Sequence, residues 1–395
     1  MLSNIQKNYS NLFLLFIIAF IRPFGFTLFL TSFPTLCELF DVSNGLIIQA
    51  MTFNSIGVGV GELCYGTLSD KFGRKKIFVL GCFIYALSNF FCIYSTNVLQ
   101  YFIYSTLQGL SSGFTSILYA SIRDMYKDET IITKYITITE ILFGVCLIVS
   151  PFLGSIIFIH FSWKGNYIFL FLLSVIISTL FLFFYRENKN INSDFKGILK
   201  SYKSFISNKD FALLVFLSLL ACFAISIHVT EIPFINNGIY KISPFYSGMI
   251  VSALNLMYVF GNIINMYLLR CFCIRDIIKI TVKIFILAIF AMFTFLLKDN
   301  FLSILIPFMV ILLLSGILFP NSVALTLNKI PYNCGIAGSF IGSAMYFGGG
   351  MVRLILGLFN TDNYTVIFSM LITTILIYVV STNIKELYPK KLIIK

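Results

Sequence analysis

Apolar residues run along this chain in blocks of about twenty, separated by short polar gaps. A helix needs roughly twenty apolar residues to cross ~30 Å of hydrocarbon, whereas barrel strands are about half as long. The blocks therefore predict twelve membrane-spanning helices, over approximately 11–34, 45–68, 77–95, 98–120, 135–160, 166–185, 211–237, 245–269, 277–297, 301–326, 335–359 and 364–383. No small-residue cleavage site follows the first block, so it is expected to be a retained span. The longest gap, Arg186 to Asp210, is polar and basic and divides the spans six and six. The expected fold is an all-α membrane protein of two pseudo-symmetric six-helix bundles, over 1–185 and 211–395, joined by a cytoplasmic linker over 186–210.

Composition agrees with a lipid environment. Of 395 residues, 58% are hydrophobic and 11% charged, against about 25% charged in water-soluble domains. The net charge of +12 could suggest nucleic acid, but the basic residues sit in the gaps between apolar runs, which is a membrane-topology pattern. With a cytoplasmic N-terminus, the even-numbered loops, both tails and the first turns of span nine (Lys279 and Lys283) hold 23 of the 28 Lys and Arg. Lys164, Lys241 and Lys298 fall in the odd-numbered loops, and Arg22 and Arg353 inside helices. Both termini are thus expected in the cytoplasm. The nine cysteines are mostly scattered singly in apolar runs and suggest no disulfide framework. Cys271 and Cys273 are too close for a usual zinc pair and have no histidine nearby, so no metal or cofactor is expected.

A repeat appears at an offset of 200. "GELCYGTLSDKF" begins at Gly61 and "GNIINMYLLRCF" at Gly261, and upstream "FDVS" (Phe40–Ser43) aligns with "YKIS" (Tyr240–Ser243). Each pair takes the same place in its half, which suggests a duplicated six-helix unit.

The densest charge cluster lies between the second and third spans, in "GTLSDKFGRKK", Gly66 to Lys76. Gly66 is read as letting span two approach a neighbouring helix, and Gly73 as permitting a tight turn. Asp70 is suited to accept hydrogen bonds from a helix N-terminus, and Arg74 to pair with carboxylates. "ASIRDMY", with Arg123 and Asp124, follows span four, and "LIVSPFLGSI", with Pro151 and Gly154, lies in span five. There Pro151 removes a backbone donor and Gly154 allows close packing, so the helix can bend. Together these segments resemble the major facilitator superfamily, and their order is similar to the Bcr/CflA group of drug-resistance exporters. The resemblance implies that Gly66, Asp70, Gly73, Arg74, Arg123, Asp124, Pro151 and Gly154 serve conformational switching between two halves.

The chain departs from that group at several positions. Ser105 stands where an arginine often precedes the Gln-Gly of span four, here Gln108 and Gly109. Thr27 occupies the place of the usual span-one acid, and Arg22 that of a glycine. Ionisable groups within spans usually face a cavity or a partner; here they are Arg22, Glu62, Glu140, His228, Glu231 and Arg353. All lie on spans that the resemblance implies line a central pathway; on spans three, six, nine and twelve the charges are confined to Lys279 and Lys283, at the cytoplasmic start of span nine. Glu62 shares one helix face with Ser55, Gly59, Gly66 and Ser69, which reads equally as a packing face and as a functional one. Glu140 is read as pairing with a loop lysine. His228 and Glu231 are helical neighbours, open to proton coupling or to a structural pair. Arg22 and Arg353, one per half, suggest an anionic substrate or two structural ion bridges.

The expected substrate and proton pathway therefore comprises Arg22, Thr27, Glu62, Gln108, Glu140, His228, Glu231 and Arg353. The expected function is secondary active transport by alternating access, as a proton-coupled exporter of drugs or metabolites. The alternative is transport of an anionic metabolite, such as a polycarboxylate or siderophore, in either direction. No metal cluster, nucleophile–base pair or phosphate-binding loop suggests an enzyme. Expected partners are a small-molecule substrate, protons and the lipid bilayer, with no nucleic acid. The chain is expected to act as a monomer in a bacterial inner membrane.

Overall fold

The computed structural model describes residues 2–126, 129–187, 207–236, 240–296, 301–328, 334–356 and 363–384. Within this set the side chains of Arg123, Glu140, His228, Glu231 and Arg353 lie outside what is described, as does most of the expected linker.

The first span is α1 (Leu2–Thr27), continued through a 3-10 turn at Leu30–Ser32 into α2 (Phe33–Phe40). The second is α3 (Asn44–Phe72) and the third α4 (Arg74–Ile93). Between them stands Gly73 alone, at φ 102°, a conformation that side chains resist and glycine adopts freely. The fourth span is α5 (Val98–Ser112), a 3-10 turn at Gly113–Thr115, and α6 (Ser116–Met125). The side chain of Asn97 caps α5 by accepting from the Gln100 N–H at 2.9 Å, satisfying one of the orphan donors of the first turn.

Spans five and six differ from expectation. The sequence predicts a loop between 160 and 166, but α7 (Glu129–Phe184) carries both, interrupted only at Ser162, where φ is 61°. One left-handed residue replaces the loop. The rest of the described chain forms α8 (Lys209–Phe234), α9 (Pro244–Cys271), α10 (Ile274–Leu296), α11 (Phe301–Asn328), α12 (Cys334–Leu356) and α13 (Asn363–Asn383).

Among the described residues, six helical segments are long and apolar enough to cross a membrane, and the longest, Ile141–Phe184, holds the break at Ser162. Large apolar side chains also cover the outside: Phe161, Phe183, Leu287 and Phe290 are each at least 66% exposed. Water would penalise such a surface, whereas lipid does not.

The internal repeat is visible in packing. In the first half α3 lies against α5, and a Cβ on Gly61 would run into the Leu110 carbonyl beside Gly113. In the second half α9 lies against α11, and a Cβ on Gly261 would run into the Leu313 carbonyl beside Gly316. The two glycine pairs place backbone against backbone at equivalent points, which favours close helix association in lipid. An amide pair accompanies each contact. Asn54 donates to Gln108 at 3.1 Å in the first half, and Asn321 donates to Asn265 at 2.6 Å in the second.

The halves meet along two seams, α3 with α12 and α7 with α9. A shift of six spans exchanges one seam for the other. Ser343 donates to the Gly59 carbonyl at 2.8 Å across the first, and Asn255 to the Leu147 carbonyl at 2.7 Å across the second.

Candidate functional site

Arg22 sits in α1 just before Pro23, with its guanidinium where the first seam meets the helix. Its Nη2 lies 3.0 Å from Glu62 Oε1 of α3, and its Nε donates to the Tyr346 hydroxyl of α12 at 2.5 Å. The guanidinium also lies over the rings of Tyr346 and Phe143, at 4.5 and 5.6 Å from their centroids. One cation thus touches α1, α3, α7 and α12, and so both halves. Glu62 is buried, and a buried carboxylate persists only when paired and hydrogen-bonded. Its Oε2 faces Gly342, where a Cβ would come within 2.7 Å. The polar stripe on α3 therefore does two things: Gly59 and Glu62 face the other half, and Glu62 also holds Arg22.

A narrow cleft opens beside this pair. Its lining includes Arg22, Gly25, Asn54, Tyr85, Gln108 and Tyr346, and its internal free space is about 10 Å³, the room of one water molecule. Gln108, expected in the pathway, is buried here in a chain of amides. Its Oε1 accepts from Asn54, its Nε2 donates to Asn89 at 2.7 Å, and Asn89 donates to the Tyr85 carbonyl at 2.8 Å. Ser105, where the related group often has arginine, is buried with its hydroxyl 3.5 Å from the Ala50 carbonyl.

Thr27, expected in the pathway, is not among the residues that line this cleft. Its hydroxyl is fully buried, donating to the Pro23 carbonyl at 2.9 Å and hydrogen-bonded to Ser150. The carbonyl that Thr27 takes up lies one turn back, a pattern hydroxyls adopt inside helices, so Thr27 pins α1 to α7 next to Pro151. Gly154 adds to that contact, because a Cβ there would strike the Leu28 carbonyl.

At the far end of α3 the charge cluster forms a compact knot. Arg74 is buried, with its Nε on Asp124 Oδ2 at 2.9 Å, its Nη1 on the Ser69 hydroxyl at 2.6 Å, and an ion pair to Asp70. Two sequence readings change here. Asp70 does not cap a helix start. It sits in the last turn of α3, where the dipole disfavours an anion, and Arg74 compensates it. The carboxylate at the start of α4 is Glu187, whose Oε1 accepts from the Lys75 N–H at 3.4 Å. Nor does Gly66 make a close helix contact: the nearest atom to a Cβ there would be the Ser116 hydroxyl at 3.9 Å. Close packing of α3 on α5 belongs to Gly57 and Gly61 instead.

Sequence reasoning missed Asn54, Tyr85, Asn89 and Tyr346. Asn54 precedes the polar stripe of α3 and points about a quarter-turn away from it, toward Ser105 and Gln108, so the signal available was only an amide in an apolar run. Tyr85 and Asn89 lie on span three, which the family resemblance assigns to lipid. Tyr346 gives no sequence signal beyond being a tyrosine in an apolar run.

Comparison with known proteins fits this geometry. The chain is 23% identical over 375 residues to an MFS-type transporter, YdgK, of Bacillus subtilis, covering 92% of each chain. It is 22% identical to a bicyclomycin resistance protein homolog of Haemophilus influenzae, covering 88% of each. Its fold matches a crystal structure of a D-xylose-proton symporter with a TM-score of 0.78 at 11% identity, over 94% of this chain and 97% of that one. The family model of the Major Facilitator Superfamily matches residues 15–352. The chain therefore belongs to the major facilitator superfamily, as an integral membrane transporter of small molecules and not an enzyme, with twelve helices in two six-helix bundles.

Proposed function

We propose that this transporter exports small molecules by alternating access, driven by protons, from a bacterial cytoplasm across the inner membrane. Both termini then lie in the cytoplasm, residues 1–185 and 211–395 form the moving halves, 186–210 joins them, and one chain suffices. The observation that carries the reading is the Arg22–Glu62 pair with Tyr346 across the seam. Rocking one half against the other separates Tyr346 from Arg22. A proton on Glu62 removes the charge that Arg22 pairs with. In lipid an uncompensated charge is expensive, so the protonation of Glu62 and the opening of the seam are linked. The sequence alone favours Glu231, beside His228 on a lining span, as the proton carrier; we propose Glu62 instead because it sits where both halves meet. The name of the bicyclomycin resistance homolog supports export, and the knot around Arg74 suits a latch for one of the two states.

A second reading is favoured by one feature: Arg22 lines the cleft. A carboxylate of an anionic metabolite, such as a polycarboxylate or siderophore, could take the place of Glu62 on the guanidinium fork.

Everted membrane vesicles test both. Export predicts accumulation of some members of a panel of cationic, neutral and anionic dyes when the lumen is acidified, abolished by a protonophore. Accumulation indifferent to the pH gradient contradicts proton drive. Preference for anions that disappears in Arg22→Gly supports the second reading, and unchanged selectivity removes it.

A further inference from the structure

The Tyr85 ring is fully buried in α4, edge-on to Phe114 at 6.0 Å, and its hydroxyl reaches α1 at Gly25. A Cβ at Gly25 would collide with that oxygen. Gly25 follows Arg22 by three residues, on the same helix face, and all three residues line the cleft. Among the described residues the Tyr85 hydroxyl has no partner in good hydrogen-bonding geometry, although the side chains of Asn89 and Gln108 stand close enough to interact with it. Both amides have their well-aligned bonds elsewhere: Gln108 donates to Asn89, and Asn89 donates to the Tyr85 carbonyl. A buried hydroxyl without a well-aligned bond is unfavourable, and phenylalanine would fill the same shape without that penalty. The hydroxyl therefore calls for a partner in the cleft, and the space there fits one water or one ligand atom.

We propose that Tyr85 is a specificity-determining residue, whose hydroxyl donates to an acceptor oxygen of the transported molecule, a carboxylate or carbonyl seated beside Arg22. This rests on reading the cleft as the transport pathway. A single water holds the hydroxyl when no substrate is bound, and the substrate's oxygen displaces it. Span three thereby contributes to recognition from outside the helices expected to line the pathway.

Thermal unfolding of the purified full-length protein in detergent tests this with three matched probes. Benzoate and benzamide carry an acceptor oxygen, and benzylamine carries none. The expected result is that benzoate, benzamide or both raise the unfolding midpoint of the wild type, while benzylamine does not. Stabilisation by benzoate alone assigns an anionic group, and by benzamide alone a neutral one. In Tyr85→Phe the apparent affinity should fall about tenfold, the effect of one hydrogen bond, with the ligand-free midpoint unchanged or higher. Gly25→Ala, which keeps the hydroxyl but crowds it, should weaken the same probes. Equal affinity in wild type and Tyr85→Phe overturns the proposal, as does absence of stabilisation by both acceptor probes. Proton-driven accumulation by wild-type vesicles alongside such a failure would remove this subsite and leave the exporter reading standing.

Discussion

Arg22 of α1 and Glu62 of α3 form an ion pair at 3.0 Å, and the same guanidinium donates to Tyr346 of the opposite half. The pair is internal to the first bundle while the tyrosine belongs to the second, so one cation reports on both. Removing one member of a buried pair strands the other charge, whereas removing both does not. Arg22→Gln and Glu62→Gln should each lower stability by roughly 3–5 kcal/mol, with the double variant recovering part of the loss. Unfolding midpoints of the three variants in detergent measure this. A double variant as unstable as the sum of the singles would show that the pair is not a unit.

The glycine pairs of the repeat give a second expectation. Gly61→Ala and Gly261→Ala each place a methyl group against a backbone carbonyl. Each should cost about 1–3 kcal/mol through overpacking. Gly66→Ala, on the same helix as Gly61 but with open space around it, should be neutral. Equal effects at Gly61 and Gly66 would contradict the packing described.

The knot at Arg74 should govern switching and not binding. Asp70→Asn removes one of its two carboxylate partners and is expected to slow transport while equilibrium binding stays within a few-fold. Arg74→Lys should do the same, since a point charge cannot hold Asp124 and Ser69 in one fork. Transport rates and binding isotherms for the same substrate separate the two effects, and lost binding in a folded variant would contradict this role.

Orientation is open to direct assay. Reporter fusions after Ser95 and after Lys164 should read outside the cytoplasm, and one at Lys200 inside. An outside reading at Lys200 would invert the arrangement of both halves.

Span lengths, the six-plus-six division and the repeat were legible because lipid imposes its thickness on every helix and duplication repeats it. Gly61 and Gly261 were found as a motif, and the structure supplies their meaning as paired backbone contacts. The cleft was less legible. Arg22, Glu62 and Gln108 stood out because charged and amide groups are rare in apolar runs, but which of them meet depends on how helices rotate about their axes. Thr27 illustrates this: its hydroxyl turns into its own helix and toward Ser150, which no spacing in the sequence announces. Tyr85 escaped notice because a tyrosine in an apolar span is ordinarily packing, and only the approach of its hydroxyl to Gly25 marks it.

Proton-linked movement through the Arg22–Glu62 seam is tested most directly in proteoliposomes, by comparing transport driven by a pH gradient with exchange at equal pH. Wild type should do both. Glu62→Gln should lose gradient-driven transport and keep exchange, because a side chain that cannot titrate still permits the halves to rock. Gradient-driven transport that survives in Glu62→Gln but is abolished in Glu231→Gln would contradict the assignment.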